Sequence, residues 1–179
     1  MRNVCYHVAV SIDGFIARQD GSIAGFLEGG DHVDDYMAAL AEYDTVIMGR
    51  KTYEFGYSYG LTPGERAYEN MEHWIFSKSI NVPQKDGVNI VRDDWLDRID
   101  KLKSNAGPDI YLCGGSVFAG WLMSERRIDR LKLKVNPVAF GTGMPLFASS
   151  SLRAADFNLI STTPYKSGVI LNEYARASS

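Results

Sequence analysis

Two cysteines in 179 residues, Cys5 and Cys113, are too few for a disulfide framework. Neither belongs to a Cys-x-x-Cys pair, which removes a structural zinc site and the zinc-dependent base deaminases. Both sit in apolar, strand-like runs and are expected to be reduced core thiols. Basic residues are not in excess either. Nineteen Lys and Arg stand against 22 Asp and Glu, a net charge of −3, without the positive footprint that a nucleic-acid binder carries. No apolar run approaches the roughly 18–20 residues of a membrane span. The opening Met1-Arg2-Asn3-Val4-Cys5-Tyr6-His7 enters an alternating pattern at once, so no cleavable leader is expected and the cytoplasm is the expected location. The three histidines, His7, His32 and His73, are scattered without ligand spacing, and no metal is expected.

What is present is ordinary for a globular protein: 45% hydrophobic and 23% charged residues, enough for one packed domain over residues 1–179. Tyr6-His7-Val8-Ala9-Val10 reads as a strand ended by the Asp13-Gly14 turn, and a glycine-rich loop runs through residues 20–25. Asp31 is placed to cap a helix in which Val33, Tyr36, Met37, Leu40 and Ala41 recur at helical spacing. Thr45-Val46-Ile47-Met48 reads as a strand covered on both faces. Further strands fall at residues 73–76, 87–91, 110–113 and 128–135, and short helices at 51–55, 95–105 and just after 116. Residues 156–162 and 168–174 close the chain as an antiparallel hairpin. The expected fold class is therefore α/β: a three-layer α-β-α sandwich around a mixed, mostly parallel sheet of seven or eight strands.

Two strand-to-helix junctions carry the chemistry. In Met48-Gly49-Arg50-Lys51-Thr52 a glycine precedes a helix whose first turn holds two cations. That turn suits a phosphate, with arginine able to grip it bidentately. Cys113-Gly114-Gly115-Ser116-Val117 repeats the arrangement without charge, leaving backbone amides bare for a pyrophosphate. It is neither a Walker loop nor a Gly-x-Gly-x-x-Gly fingerprint. Either junction alone is equally well a structural turn; the pair points to a nucleotide with two separated phosphate groups.

These segments, with residues 8–17 and Pro137-Val138-Ala139-Phe140-Gly141-Thr142-Gly143-Met144-Pro145-Leu146-Phe147, resemble in order the motifs of the dihydrofolate reductase-like superfamily. They are most similar to its branch typified by the reductase domain of bacterial bifunctional riboflavin-biosynthesis deaminase-reductases. The resemblance implies NADPH bound across the carboxyl edge of the sheet and hydride transfer to a small heterocycle or carbonyl, the reduced nicotinamide itself carrying the hydride. By position it puts Gly49, Arg50, Lys51 and Thr52 on the 2′-phosphate and pyrophosphate, with Ser77 and Lys78 beside the adenosine 2′-phosphate. Gly114, Gly115, Ser116 and Val117 would line the pyrophosphate and nicotinamide ribose, and Ala9 and Ile16 would bracket the nicotinamide ring. It also suggests a homodimer built on the C-terminal strands.

Candidate acids for the chemistry are Asp34 and Asp35 on the first helix and Asp13 before it. A carboxylate desolvated in a cleft can hold or deliver a proton, whereas acids in a first helical turn also simply stabilise that terminus, and Asp-Gly is equally a turn signature. Lys134 can meet a substrate phosphate or, as an edge-strand lysine, face water. Tyr53, Phe55, Tyr57 and Tyr59 either wall a pocket or pack on the core. The residues 24–30 lack the Trp- and Pro-containing segment of true dihydrofolate reductases, which counts against folate as substrate. A folate reductase and a non-catalytic NADPH-binding module remain the two rivals of the riboflavin-type reductase.

Overall fold

β-branched and aromatic runs become strands and the helical-period segments between them become covers, in a computed structural model that describes residues 1–83 and 85–177. The chain order is β1 (Val4–Ser11), β2 (Phe15–Ala17), α1 (Asp31–Leu40), β3 (Thr45–Gly49), α2 (Arg50–Phe55), β4 (Glu72–Phe76), β5 (Val88–Val91), α3 (Trp95–Ser104), β6 (Ile110–Gly114), α4 (Ser116–Ser124), β7 (Arg130–Asn136), β8 (Met144–Pro145), β9 (Phe157–Pro164) and β10 (Ile170–Arg176). Eight strands form one sheet in the order β5-β4-β3-β6-β1-β7-β10-β9. The first six run parallel; β10 and β9 complete it as the antiparallel hairpin. β2 and β8 make a separate two-stranded ribbon with no sequence signal, because three and two residues are too short to show a period.

Alternation along the strands divides the core in two. Val4, Tyr6, Ile47 and Leu112 pack with Ile99, Leu102, Phe118 and Leu122 of α3 and α4. Cys5, Val46, Met48 and Tyr111 pack with Leu40 and Tyr53 of α1 and α2 on the opposite face. Both cysteines are free thiols, and burial pushes Cys5 up to about 11. Among the described residues no helix is long and apolar enough to cross a membrane.

Three local expectations change. Asp31 is the first residue of α1 rather than its cap: Gly30 holds the cap position and the Asp31 carboxylate accepts from the His32 N–H at 3.1 Å. The inward stripe of α1 is His32, Tyr36 and Leu40, while Met37 is 60% exposed, so the helix is rotated by about one residue from the periodic reading. Lys134 does not lie on a sheet edge, because β10 covers the flank of β7 that the linear pattern leaves open. The residues flanking the glycine-rich loop are anchored on the segment after β7 and on the end of β7. Phe26 stacks on Phe140 at 5.0 Å, Arg18 lies over the same ring, and the Leu27 N–H donates to Asn136 Oδ1 at 3.0 Å.

Candidate functional site

The connection from β3 runs outward to β4, whereas that from β6 runs the other way, past β1 to β7. β3 and β6 are neighbours, with Met48 opposite Gly114. The crevice beyond their carboxyl ends is therefore the topological switch point of the sheet, where open α/β sheets bind ligands. Both glycine junctions open onto it.

They also touch. A Cβ on Gly115 would lie 2.6 Å from Thr52 Oγ1, and Gly115 has φ 95°, which favours glycine. Gly114, at φ 141°, has nothing within 4 Å of the place its Cβ would take, so the floor beyond β6 is open. Gly49 has an ordinary φ of −81°; its lack of a side chain matters because a Cβ would come 3.3 Å from Phe118 Cβ. Arg50 Nη1 is paired with Glu54 at 3.0 Å, an internal partner one turn along α2, while Lys51 is exposed and forms no ion pair among the described residues. Ser116 is buried, its hydroxyl donating to the Pro145 carbonyl, which ties α4 to the ribbon. Val117 is 73% exposed in the first turn of α4, and Ile12 is 64% exposed just after β1. Ser77 is buried, and its hydroxyl oxygen accepts from the Ser79 and Ile80 N–H groups; Lys78 is exposed beside it.

The three aspartates have different surroundings. Asp13 accepts from the Ser11 hydroxyl at 2.5 Å and from the backbone N–H groups of Gly141 and Phe140 at 2.7 and 3.1 Å. The Ser11 bond first, then those two amides, hold its carboxyl below the usual range, so it stays ionised and clamps the segment after β7. Asp34 is exposed on α1. Asp35 accepts from the Tyr165 hydroxyl at 2.9 Å, joining α1 to the turn between β9 and β10; burial and this carboxylate push the Tyr165 hydroxyl up to about 12.

Asp35 borders a cavity of about 310 Å³ between α1 and the face made by β1, β7 and β10. Its floor holds His7, to which the sequence pattern assigns no role, and Lys134, for which that pattern leaves a substrate phosphate and water both open. Alternation puts Ala9 on this same face of β1, and Ala9 stands opposite Lys134 in the ladder. The Lys134 ammonium lies 3.3 Å from the centroid of the Tyr36 ring, and burial lowers it to about 8. His7 is 2% exposed, and among the described residues neither of its ring nitrogens has a hydrogen-bond partner. Burial, helped by Lys134 and Lys132, lowers it to about 3 and keeps it neutral. The one sequence signal for this pair is the alternation that sets His7 and Ala9 on one face of β1. Of the aromatics in and just after α2, Tyr53 is buried, its hydroxyl donating to the Glu65 carbonyl and accepting from the Gly64 N–H, while Phe55 and Tyr59 are exposed and lie against each other.

Residues 2–171 match the family model described as the RibD C-terminal domain. The chain belongs to that family. The protein YwjB of Bacillus subtilis is 34% identical over 147 residues, covering 82% of this chain and 83% of the relative. A solved structure described as a putative riboflavin biosynthesis protein from Shewanella sp. PV-4 is 27% identical and superposes with a TM-score of 0.81, covering 99% of this chain and 100% of that one. The dihydrofolate reductase of Enterococcus faecalis, solved with NADP(H), shares the fold at 16% identity and a TM-score of 0.68, covering 98% and 97% of the two chains. The fold is thus dihydrofolate reductase-like, and the family is that of the riboflavin-type reductase domains.

Proposed function

We propose that the chain is an NADPH-dependent reductase of a small heterocyclic or carbonyl compound, most like 5-amino-6-(5-phosphoribosylamino)uracil reductase, acting in the cytoplasm as one domain over residues 1–179. The observation that carries this reading is the contact between the two glycine junctions at the switch point, in a chain of the RibD C-terminal family. The residues present suit a dinucleotide. The open floor over Gly114 and the uncovered Val117 and Ile12 leave room for a flat group with an apolar face. Bound NADPH supplies the hydride.

The chain's own residues then divide the remaining work. Arg50, Lys51 and Thr52 hold the 2′-phosphate and pyrophosphate, with Ser77 and Lys78 beside them; this is the basis for a preference over NADH. Gly114, Gly115, Ser116 and Val117 line the pyrophosphate and ribose. Ala9 and Ile16 bracket the nicotinamide, which sets the acceptor in the cavity under α1 and excludes water from it. Of the three aspartates, Asp35 is the one bordering that cavity, and its part is to orient the substrate. The exposed Leu159 and Ile160 on edge strand β9 support a homodimer through the C-terminal strands.

The test is turnover. Purified protein and NADPH are mixed in turn with the ribosylaminopyrimidine, its relatives and dihydrofolate, and loss of the reduced nicotinamide absorbance is followed. Oxidation with the pyrimidine and none with dihydrofolate is expected. Rapid oxidation with dihydrofolate identifies a folate reductase, and NADPH binding without oxidation across the panel identifies a binding module.

A further inference from the structure

A second cavity, of about 290 Å³, lies at the other end of α4 from the cofactor crevice. Ser116 and Val117 begin α4 at the crevice, whereas Met123 and Ser124 end it here, roughly 12 Å away at about 1.5 Å per residue. β7 starts at this end of the sheet, and the antiparallel β10 finishes here, with Arg176 opposite Phe157 at the start of β9. The cavity therefore sits away from the switch point.

Its walls are held by the fold. The Ala148 N–H donates to the Ser116 carbonyl, Gly120 lets the Ala148 backbone lie directly against α4, and the Ser124 hydroxyl meets that of Ser149 at 3.1 Å. The Ala177 N–H donates to the Asp156 carbonyl at 2.9 Å and joins the end of β10 to the segment before β9.

The charges around it do not balance. Arg126, Arg153 and Arg176 share the lining with one carboxylate, that of Asp156. Among the described residues neither Arg153 nor Arg176 pairs with any carboxylate. The last carbonyls of α4 account for a cation at Arg126, but not for the other two. Arg126 itself has φ 57°, a left-handed position after a helix where glycine is ordinarily found. Arg176 is half-buried: its Nε donates to the Ile128 carbonyl at 2.8 Å, its Nη2 rests 3.0 Å from the weak acceptor Met123 Sδ, and its face lies over Phe157. Its Nη1 has no hydrogen-bond partner among the described residues. Burial first, then the neighbouring Arg126, pull the Arg176 guanidinium below its ordinary value, against a smaller opposing pull from Asp129. The exposed Arg153 side chain makes no hydrogen bond or ion pair among the described residues.

Guanidinium forks that converge suit a multiply charged tetrahedral oxyanion, which offers an oxygen to each, better than a carboxylate with one charge. Ala154, Ala155 and Ala177 keep the rest of the lining small, so the space exceeds that of a bare ion. We propose that this cavity is a second ligand site, taking the phosphate group of a small molecule on Arg153 and Arg176 in the field of Arg126. The site is separate from the cofactor seat at Arg50 and from the cavity under α1, and is independent of the reductase reading. Inorganic phosphate and a phosphate ester share the required chemistry.

The experiment uses the full chain without cofactor, in inorganic phosphate, phenyl phosphate or sodium chloride at one ionic strength. Hydrogen exchange locates binding and calorimetry measures it. One of the two phosphates is expected to slow amide exchange over residues 153–156 relative to chloride, the tighter one naming the source. Arg153→Ala removes an exposed side chain that supports nothing else, and should weaken that binding about tenfold or more; Arg153→Lys should restore part of the loss. Arg50→Ala should leave the protection at 153–156 unchanged. The proposal is overturned if neither phosphate slows exchange there beyond chloride, if Arg153→Ala binds equally tightly, or if Arg50→Ala abolishes the protection.

Discussion

Gly115 and Thr52 stand against each other: a side chain on the first would begin 2.6 Å from the hydroxyl oxygen of the second. The turn after β6 and the first turn of α2 therefore share one surface. Gly115→Ala must both adopt a φ of 95° and displace Thr52 Oγ1. A loss of about 1–3 kcal/mol in urea unfolding is expected. Adding Thr52→Ala leaves the Thr52 Cβ, 3.9 Å away, as the nearest atom of that residue, and so recovers part of the loss while the backbone strain stays. Equal stability of the single and double variants would show that the two turns are not in contact.

His7 makes a pH-dependent contribution whose sign is set by burial. Its folded pKa of about 3 lies below the ordinary 6.5, so between those values the unfolded chain binds the extra proton. Stability should fall as pH drops from 6.5 toward 3, by up to about 1.4 kcal/mol per pH unit from this group. His73, buried and lowered to about 4, adds to the same slope. Tyr36 and Tyr111 pack against the His7 ring, and Lys132 and Lys134 oppose its protonation. In urea unfolding between pH 7 and 4, His7→Phe should flatten the dependence; an unchanged slope would contradict a buried, neutral His7.

Asp13 is expected to act through the segment it clamps. In Asp13→Ala the amides of Phe140 and Gly141 should exchange with solvent faster while those of β1 are unchanged, measured by hydrogen exchange. Unchanged protection together with lost turnover would assign Asp13 to the chemistry.

How far these features are legible in the sequence differs by element. The parallel strands and both glycine junctions are local patterns: Thr45-Val46-Ile47-Met48 and Ile110-Tyr111-Leu112-Cys113 carry their own apolar character. The ribbon of β2 and β8 is too short for a period, and the phase of α1 turns on burying His32 instead of Met37, which depends on what α1 packs against. Lys134 reads as an edge residue until β10 is known to lie beside β7, a pairing that brings together residues some 40 apart in the chain. The cavity is missed for the same reason: its floor, wall and rim come from β1, α1, β7 and β10, and no segment of the chain contains them together.

If the exposed β9 edge joins two copies, light scattering should give twice the monomer mass. Leu159→Lys, at a side chain 58% exposed, should then give monomers without loss of fold. A monomer in the unmodified protein would remove the homodimer.

The cofactor seat is tested most directly by fluorescence titration of NADPH and NADH into the protein and into Arg50→Ala. NADPH should bind more tightly than NADH, and the substitution should weaken NADPH by about 10–100-fold, the value of one charge-assisted contact, with a smaller effect on NADH. Equal affinity for the two cofactors, or an Arg50→Ala chain that binds NADPH as well as the unmodified protein, would contradict a phosphate seat at the junction of β3 and α2.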